Sequence, residues 1–157
     1  MKIFVFDSSL WLARSIKRVF HFFSDAKNLE LLTPPWVHFQ VLTPAPIEMA
    51  VGMRIPYKLR LRGIPIRWES EITAWEPPHR FVDDQTYGPY RMWRHEHRFA
   101  PRGGGTECSD HMEYATIGGA IWNYFFVAPD VKRIFEYRRT KMEELFGGGE
   151  TARASSA

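Results

Sequence analysis

The chain has 157 residues, 45% of them hydrophobic and 25% charged, with a formal net charge of +3. These values suit one globular domain around one core. The charge is too small and too evenly spread to mark a nucleic-acid surface, and no docking motif accompanies it.

The opening segment from Ile3 to Leu12 is rich in Phe, Val and Leu and reads as a strand. Ser15 is placed to cap a helix whose Ile16, Val19, Phe20 and Phe23 share one face. Ser24 or Asp25 caps a second short helix carrying Leu29, Leu31 and Leu32. Thr33-Pro34-Pro35 ends it, because proline lacks the amide hydrogen and disfavours helix in the residue before it. From Trp36 the period changes from 3.6 to 2, and Trp36 to Leu42 is expected as a strand.

Met53, Ile55, Tyr57, Leu59 and Leu61 alternate with polar residues, the pattern of a strand with one wet face. Pro56 within it suggests an edge or a bulge. Arg62-Gly63 is a turn. In the next strand Ile64, Ile66, Trp68, Ser70, Ile72 and Ala74 share a face opposite Arg67, Glu69, Glu71 and Thr73. After the loop Glu76-Pro77-Pro78-His79 come strands Phe81–Tyr87, Tyr90–Phe99 and Thr106–Tyr114. Gly88-Pro89 and the loop Pro101–Gly105 join them. Ile117-Gly118-Gly119 ends the sheet pattern. A long helix follows, with Val127, Val131, Ile134, Phe135, Met142 and Leu145 on one stripe and Arg138 among them. Pro129 either starts this helix in its first turn or kinks it. Residues 147–157, GGGETARASSA, read as a disordered tail.

The single cysteine, Cys108, excludes an intrachain disulfide and any cysteine-based metal spacing. No run of about 18 apolar residues occurs, so no helical membrane span is expected. The N-terminal MKIFVFDSSLWLARS is interrupted by Asp7 and lacks a signal-peptide pattern, so a cytoplasmic protein is expected.

The stretches FFSDAKNLELLTPPW (22–36), WEPPHRFVDDQTYGPYRMWRHEHRF (75–99) and IFEYRRTKMEEL (134–145) carry a family likeness. Together with the element order, they resemble the SRPBCC superfamily, the START-like and birch-pollen-allergen-like helix-grip proteins. Within it they look like a bacterial ligand-binding or cyclase/dehydrase-like subfamily. The resemblance covers roughly residues 3–146. It implies an α+β helix-grip fold: a curved antiparallel β-sheet of about six to seven strands wrapped around a long C-terminal helix, with two short helices after the first strand. Residues 1–146 would form one such domain, with a pocket between sheet and helix. The superfamily includes hydrophobic-ligand carriers, polyketide aromatase/cyclases, coenzyme Q-binding proteins and chaperone activators, so the fold does not fix the function. Two departures stand out: Pro129 lies where similar proteins continue the helix, and Ala13-Arg14 replaces an Ala-Pro.

Strand alternation then assigns side chains to faces. If Phe99 is buried, Arg91, Trp93, His95 and His97 share its face, while Arg94, Glu96 and Arg98 point out. Phe81 takes Asp83, Gln85 and Tyr87 with it, and Cys108, Asp110, Met112 and Tyr114 share a face. The expected ligand-binding residues are therefore Tyr57, Trp68, Asp83, Gln85, Trp93, His95, His97, Tyr114 and Arg138. Trp36, Trp75 and Phe81 are expected as core. Buried polar groups need partners, and histidine–aspartate pairs are expected, which would raise a histidine pKa. Arg138 either snorkels to the edge or meets an anion such as a ligand carboxylate or Asp83.

Three chemistries fit this constellation. His-x-His on a strand puts two imidazoles on one side, about 7 Å apart at the backbone. With Asp83 or Asp110 that spacing could hold zinc, but no further metal motif appears, and neither a metal nor another cofactor is expected. A histidine oriented by aspartate in an apolar cavity could move a proton, with His95, His97 and Asp110 as catalytic candidates in a polyketide cyclase/dehydratase-like enzyme. The expectation that leads is binding of a small, mostly apolar (aromatic or lipid-like) molecule, consistent with an aromatic content of 15%. A protein-interaction module would instead show a large exposed apolar patch, against which the charged outer sheet face argues.

Overall fold

The strand β1 (Phe4–Leu12) lies at one edge of a seven-stranded antiparallel sheet of order β1-β7-β6-β5-β4-β3-β2. The computed structural model describes residues 1–44 and 46–147, so the expectation of a disordered tail falls, from residue 148 on, outside the described residues. The remaining strands are β2 (Gln40–Val41), β3 (Arg54–Leu61), β4 (Ile64–Glu76), β5 (Arg80–Tyr87), β6 (Met92–Arg102) and β7 (Gly105–Ala115). Each strand from β2 to β6 pairs with the next in sequence. β1 pairs with the last one, Phe4 opposite Tyr114 and Leu12 opposite Thr106.

Helix α1 (Ile16–Phe23) begins where Ser15 Oγ accepts the backbone N–H of Arg18, satisfying one of the donors a helix start leaves unpaired. Its Val19, Phe20 and Phe23 are buried against Leu10, Leu12, Phe81, Phe99, Met142 and Phe146. Complete burial of a side chain such as Leu12 stabilises the fold by about 1.5–3 kcal/mol. Asp25 caps a 3₁₀ turn, Ala26–Asn28, which leads into the one-turn α2 (Leu29–Leu32).

The segment after α2 corrects the expectation of a strand from Trp36 to Leu42. Pro35–Val37 is a 3₁₀ turn, His38 is left-handed at φ 49°, and only Gln40–Val41 pairs with β3. Trp36 is not core: it is 49% exposed, edge-on to Tyr137 and beneath the Arg133 guanidinium. Proline at the turn start sets a helical φ and donates no hydrogen bond, so local chemistry overrides the period-2 pattern.

β3 and β4 keep the expected faces at first, with Ile55, Tyr57, Leu59, Ser70 and Ile72 buried. Arg62 and Gly63 both have positive φ (51° and 79°), the turn geometry whose twist suits a tight hairpin. Register shifts between Glu69/Ser70 and Ile72/Ala74 then break the alternation. A bulge adds a residue on one strand, and beyond it Trp75 turns inward onto Phe20 and Phe81. The hairpin joining β6 and β7 is tighter than expected, with the strands pairing up to Arg102 and Gly105.

The C-terminal helical run starts earlier than the apolar stripe indicates: α3 (Gly119–Trp122), a π-helical turn (Asn123–Val127) and α4 (Ala128–Phe146) follow without interruption. Pro129 sits in the first turn of α4, where its missing N–H costs least, and the wide π turn precedes it. α4 buries Val131, Phe135, Met142 and Phe146. Leu145 is 44% exposed, and Phe146 takes the buried place expected of it. Ile121, Trp122, Tyr124 and Phe125 on this segment are exposed, as is Ile117 just before it, while Val5, Ile64 and Tyr87 are exposed singly on the sheet. Among the described residues no helix is long and apolar enough to cross a membrane.

Candidate functional site

Between the inner face of the sheet and α4 lies a cavity of ≈ 190 Å³. Its walls are mostly apolar: Phe23, Leu32, Ile55, Ile72, Phe81 and Phe135 are among them, and Tyr57, Trp68 and Trp93 stand where alternation places them. Trp68 and Trp93 meet edge to face with centroids 5.1 Å apart, and Trp68 Nε1 donates to Ser70 Oγ at 3.1 Å. One side of the wall is polar and carries Asp83, His95, His97 and Arg138.

Those four residues and Asp110 come from four neighbouring elements. β5 supplies Asp83, β6 supplies His95 and His97 at spacing two, β7 supplies Asp110, and α4 supplies Arg138. Register makes the pairs: Asp83 lies opposite His95, and Asp110 opposite His97. The side chains cross diagonally. His97 Nε2 donates to Asp83 Oδ2 at 2.9 Å, and His95 Nε2 to Asp110 Oδ1 at 2.8 Å. Asp110 Oδ1 also accepts from Arg138 Nη2 at 3.4 Å and lies 3.4 Å from His97 Nδ1. The two imidazoles are 3.7 Å apart between centroids, and Phe81 stacks on His97 at 4.0 Å. The Arg138 guanidinium lies over the rings of Phe23 and Phe135 at 5.3 and 5.5 Å.

The electrostatics separate the two histidines. Burial, together with the charge of His97, pushes His95 down to about 4, so at neutral pH it is the uncharged imidazole. Burial also works against the His97 cation, but hydrogen bonds to Asp110 and Asp83 outweigh it and raise its pKa. Burial alone would raise both aspartates. The His97 hydrogen bond reverses this for Asp83, and the Arg138 charge with both histidine hydrogen bonds drives Asp110 well below the usual carboxylate range. When His97 carries its proton, the two carboxylates balance it and Arg138. Burial beside Asp110 pushes the Cys108 thiol up to about 12, which makes it an inert core group.

Asp83, His95 and His97 each offer a ligand atom, all within 4.8 Å of one another. A dication there would compete with arrangements already satisfied: each Nε2 has its carboxylate, and the Arg138 guanidinium stands 3.5 Å from His97 Nδ1. The donor set fits an ion-pair network better than a zinc site, which needs unprotonated ligands converging on one point.

Of the residues singled out from the sequence, Tyr57, Trp68, Asp83, Trp93, His95, His97 and Arg138 line the cavity. Gln85 does not: its amide donates to the Tyr90 carbonyl and accepts from the Tyr90 N–H, bracing the turn between β5 and β6. Tyr114 is buried beside Trp93 but gives its hydroxyl to Asn123 Oδ1. Asp110 stands behind the histidines rather than on the wall. Arg91 and Tyr87 are exposed and belong to neither group. Sequence reasoning missed Phe39, Met49 and Tyr90 on the wall; they sit in irregular segments where no periodicity marks a face. Ile134 and Phe135, also on the wall, are legible as members of the apolar stripe of α4.

A helix-grip protein with a cavity between sheet and helix is the class this architecture defines. The chain belongs to the family described as polyketide cyclase / dehydrase and lipid transport, whose profile matches residues 12–134. The fold is similar to that of protein CV1439 from Chromobacterium violaceum, at 14% identity and a TM-score of 0.72, over 92% of this chain and 97% of that one. A START superfamily protein from Mycobacterium smegmatis is similar at 10% identity and a TM-score of 0.67, over 90% and 98% of the two chains. A major latex-like protein from Panax ginseng is similar at 10% identity and a TM-score of 0.68, over 92% and 97%. These likenesses establish the fold alone. No curated protein matches this chain.

Proposed function

We propose that residues 1–146 form a single cytoplasmic domain that binds a small, mostly apolar molecule in the cavity between sheet and α4. The observation that carries this reading is the cavity: ≈ 190 Å³ of space with aromatic and aliphatic walls and one polar side. Apolar walls with a few convergent polar groups are the ordinary make-up of a small-molecule site. An apolar cavity of roughly 150 Å³ suffices for benzene, so the space suits one aromatic ring with a short substituent. Tyr57, Trp68 and Trp93 would contact the ring, and Asp83, His95, His97 and Arg138 would orient the polar end.

Ethylbenzene is a neutral probe of this size. Saturable binding, followed by ligand-observed NMR, is expected for the native chain. It should be lost in Ile134→Trp, which fills the cavity from α4. Absence of binding to the native chain, with no small molecule retained in native mass spectrometry of the purified protein, rejects the reading.

A second reading rests on His95. Asp110 fixes its Nε2 as the donor, and no hydrogen bond to its Nδ1 occurs among the described residues. A neutral imidazole held by a carboxylate, with one basic nitrogen free, is the arrangement of a general base. In a cyclase/dehydratase-like reaction it would take a proton from a ligand carbon or hydroxyl. His95→Ala should then abolish turnover while leaving the fold unchanged by circular dichroism; turnover that survives removes this reading.

A further inference from the structure

Arg138 is placed at considerable cost and is only partly used. Its side chain is 11% exposed, held between the faces of Phe23 and Phe135. Among the described residues its polar contacts are both long and both from Nη2, to Asp110 Oδ1 at 3.4 Å and to His97 Nδ1 at 3.5 Å. The enclosed Nε has no hydrogen-bond partner among the described residues, and no hydrogen bond from Nη1 occurs among them. A buried donor left unmade costs about 1–3 kcal/mol, more for a charged group. A planar guanidinium with an unused edge is shaped for an oxyanion.

The second unused group on the same polar side is His95 Nδ1. The charges around it come from each strand and helix packed there: Asp83 on β5, His97 on β6, Asp110 on β7 and Arg138 on α4. With His97 protonated these four sum to zero. A ligand cation would find no carboxylate without a counter-charge. A ligand anion would find a donor edge, but would leave one negative charge in excess unless a proton came with it. His95 is the one neutral base within the cluster able to take that proton.

We propose that the polar side of the cavity selects small aromatic acids: the ligand oxyanion pairs with the unused edge of Arg138, and His95 Nδ1 takes up the compensating proton. This rests on the cavity being a ligand site and names the class of ligand it takes. No covalent bond changes. One proton passes from solvent, or from the acid itself, to His95, and the complex then sets Arg138 and the imidazolium rings of His95 and His97 against the ligand anion and the two carboxylates. The free His95 is uncharged at neutral pH because burial holds its pKa at about 4. An oxyanion alongside would raise it, as an opposite charge does at short range.

The test compares para-ethylbenzoate with para-ethylacetophenone, a neutral ketone of nearly the same shape, by titration calorimetry on the native chain near neutral pH. Repeating each titration in two buffers of different ionisation enthalpy counts the protons exchanged. The acid is expected to bind roughly tenfold more tightly than the ketone, the size of effect one charge-assisted pair supplies, with net uptake of about one proton when the carboxylate enters. Arg138→Met should bring acid and ketone to equal affinity, and His95→Gln should abolish the proton uptake. Equal or tighter binding of the ketone to the native chain overturns the proposal while leaving the cavity reading intact. Failure of both compounds and of ethylbenzene overturns both. Preference for the acid without proton uptake overturns the role given to His95. The ligand comparison needs no variant, so a variant that fails to fold leaves the proposal open to refutation.

Discussion

Asp110 Oδ1 accepts the Nε2 hydrogen of His95 at 2.8 Å, and the same oxygen lies 3.4 Å from both His97 Nδ1 and Arg138 Nη2. One carboxylate oxygen thus ties β6 and β7 to α4. Asp110→Asn keeps the shape but leaves Arg138 and protonated His97 with one counter-charge between them. Removing one partner of a buried ionic cluster costs about 3–5 kcal/mol. Urea unfolding near neutral pH should show a loss of that order. A variant as stable as the native chain would mean that Asp110 does not neutralise these cations.

The same cluster fixes how stability depends on pH. His95 has a folded pKa of about 4 against 6.5 for the free side chain. Between these values the unfolded chain binds the proton and the folded one does not, so stability falls as pH drops through this window. One group shifted this far contributes at most about 3 kcal/mol. His97 is shifted the other way; its contribution is complete below pH 6.5 and is lost as pH rises through its folded value. Asp83 and Asp110, both lowered, lose theirs only below the carboxylate range. Urea midpoints across pH should therefore decline on the acid side of 6.5, and His95→Gln should flatten that decline.

Gly105 opens β7 against the end of β1. A Cβ there would lie 2.3 Å from the Leu12 carbonyl oxygen and 2.6 Å from a ring carbon of Trp11. The carbonyl belongs to a paired strand and cannot give way cheaply. Gly105→Ala is expected to cost about 1–3 kcal/mol, as overpacking does, read as a lower urea midpoint at unchanged slope.

Ser15 caps the helix that carries Phe20 into the core and Phe23 onto the cavity wall. Ser15→Ala should cost about 1 kcal/mol. The loss should appear first as faster amide hydrogen exchange at the start of α1, with exchange in β6 and β7 much less affected.

Arg62 at the β3–β4 turn reaches Asp130 in the first turn of α4, with Nη2 3.0 Å from Oδ1, and lies over the Phe126 ring at 5.0 Å. Arg62 is about half exposed, so Asp130→Asn should change global stability by no more than about 1 kcal/mol. Because Asp130 also lines the cavity, the expected signature is a faster release of bound ethylbenzene, measured by NMR exchange broadening.

Much of the architecture was readable because backbone periodicity is local. Alternation along β3, β6 and β7 identified the inward faces correctly: His95, His97 and Phe99 are buried while Arg94 and Arg98 are exposed. The stripe on α4 brought Arg138 to the same interior. The readings that failed did so where something other than period decided. Proline chemistry made Pro35–Val37 a turn, and a bulge between Ile72 and Ala74 broke the alternation expected to run through Ala74. Leu145 and Phe146 are adjacent on α4, and one residue of helical phase exchanged their places.

By itself, the sequence determined the order of elements, the faces of the long strands and the set of polar residues forced inside. Those follow from side-chain spacing along one segment of chain. Only the tertiary structure decided which of these polar groups are spent on one another and which remain free. Gln85 is consumed by the turn at Tyr90 and Tyr114 by Asn123, while among the described residues Arg138 Nε and His95 Nδ1 have no hydrogen-bond partner. That outcome depends on inter-strand register and on where α4 settles across the sheet. Both are set by packing between distant segments, which no local period encodes.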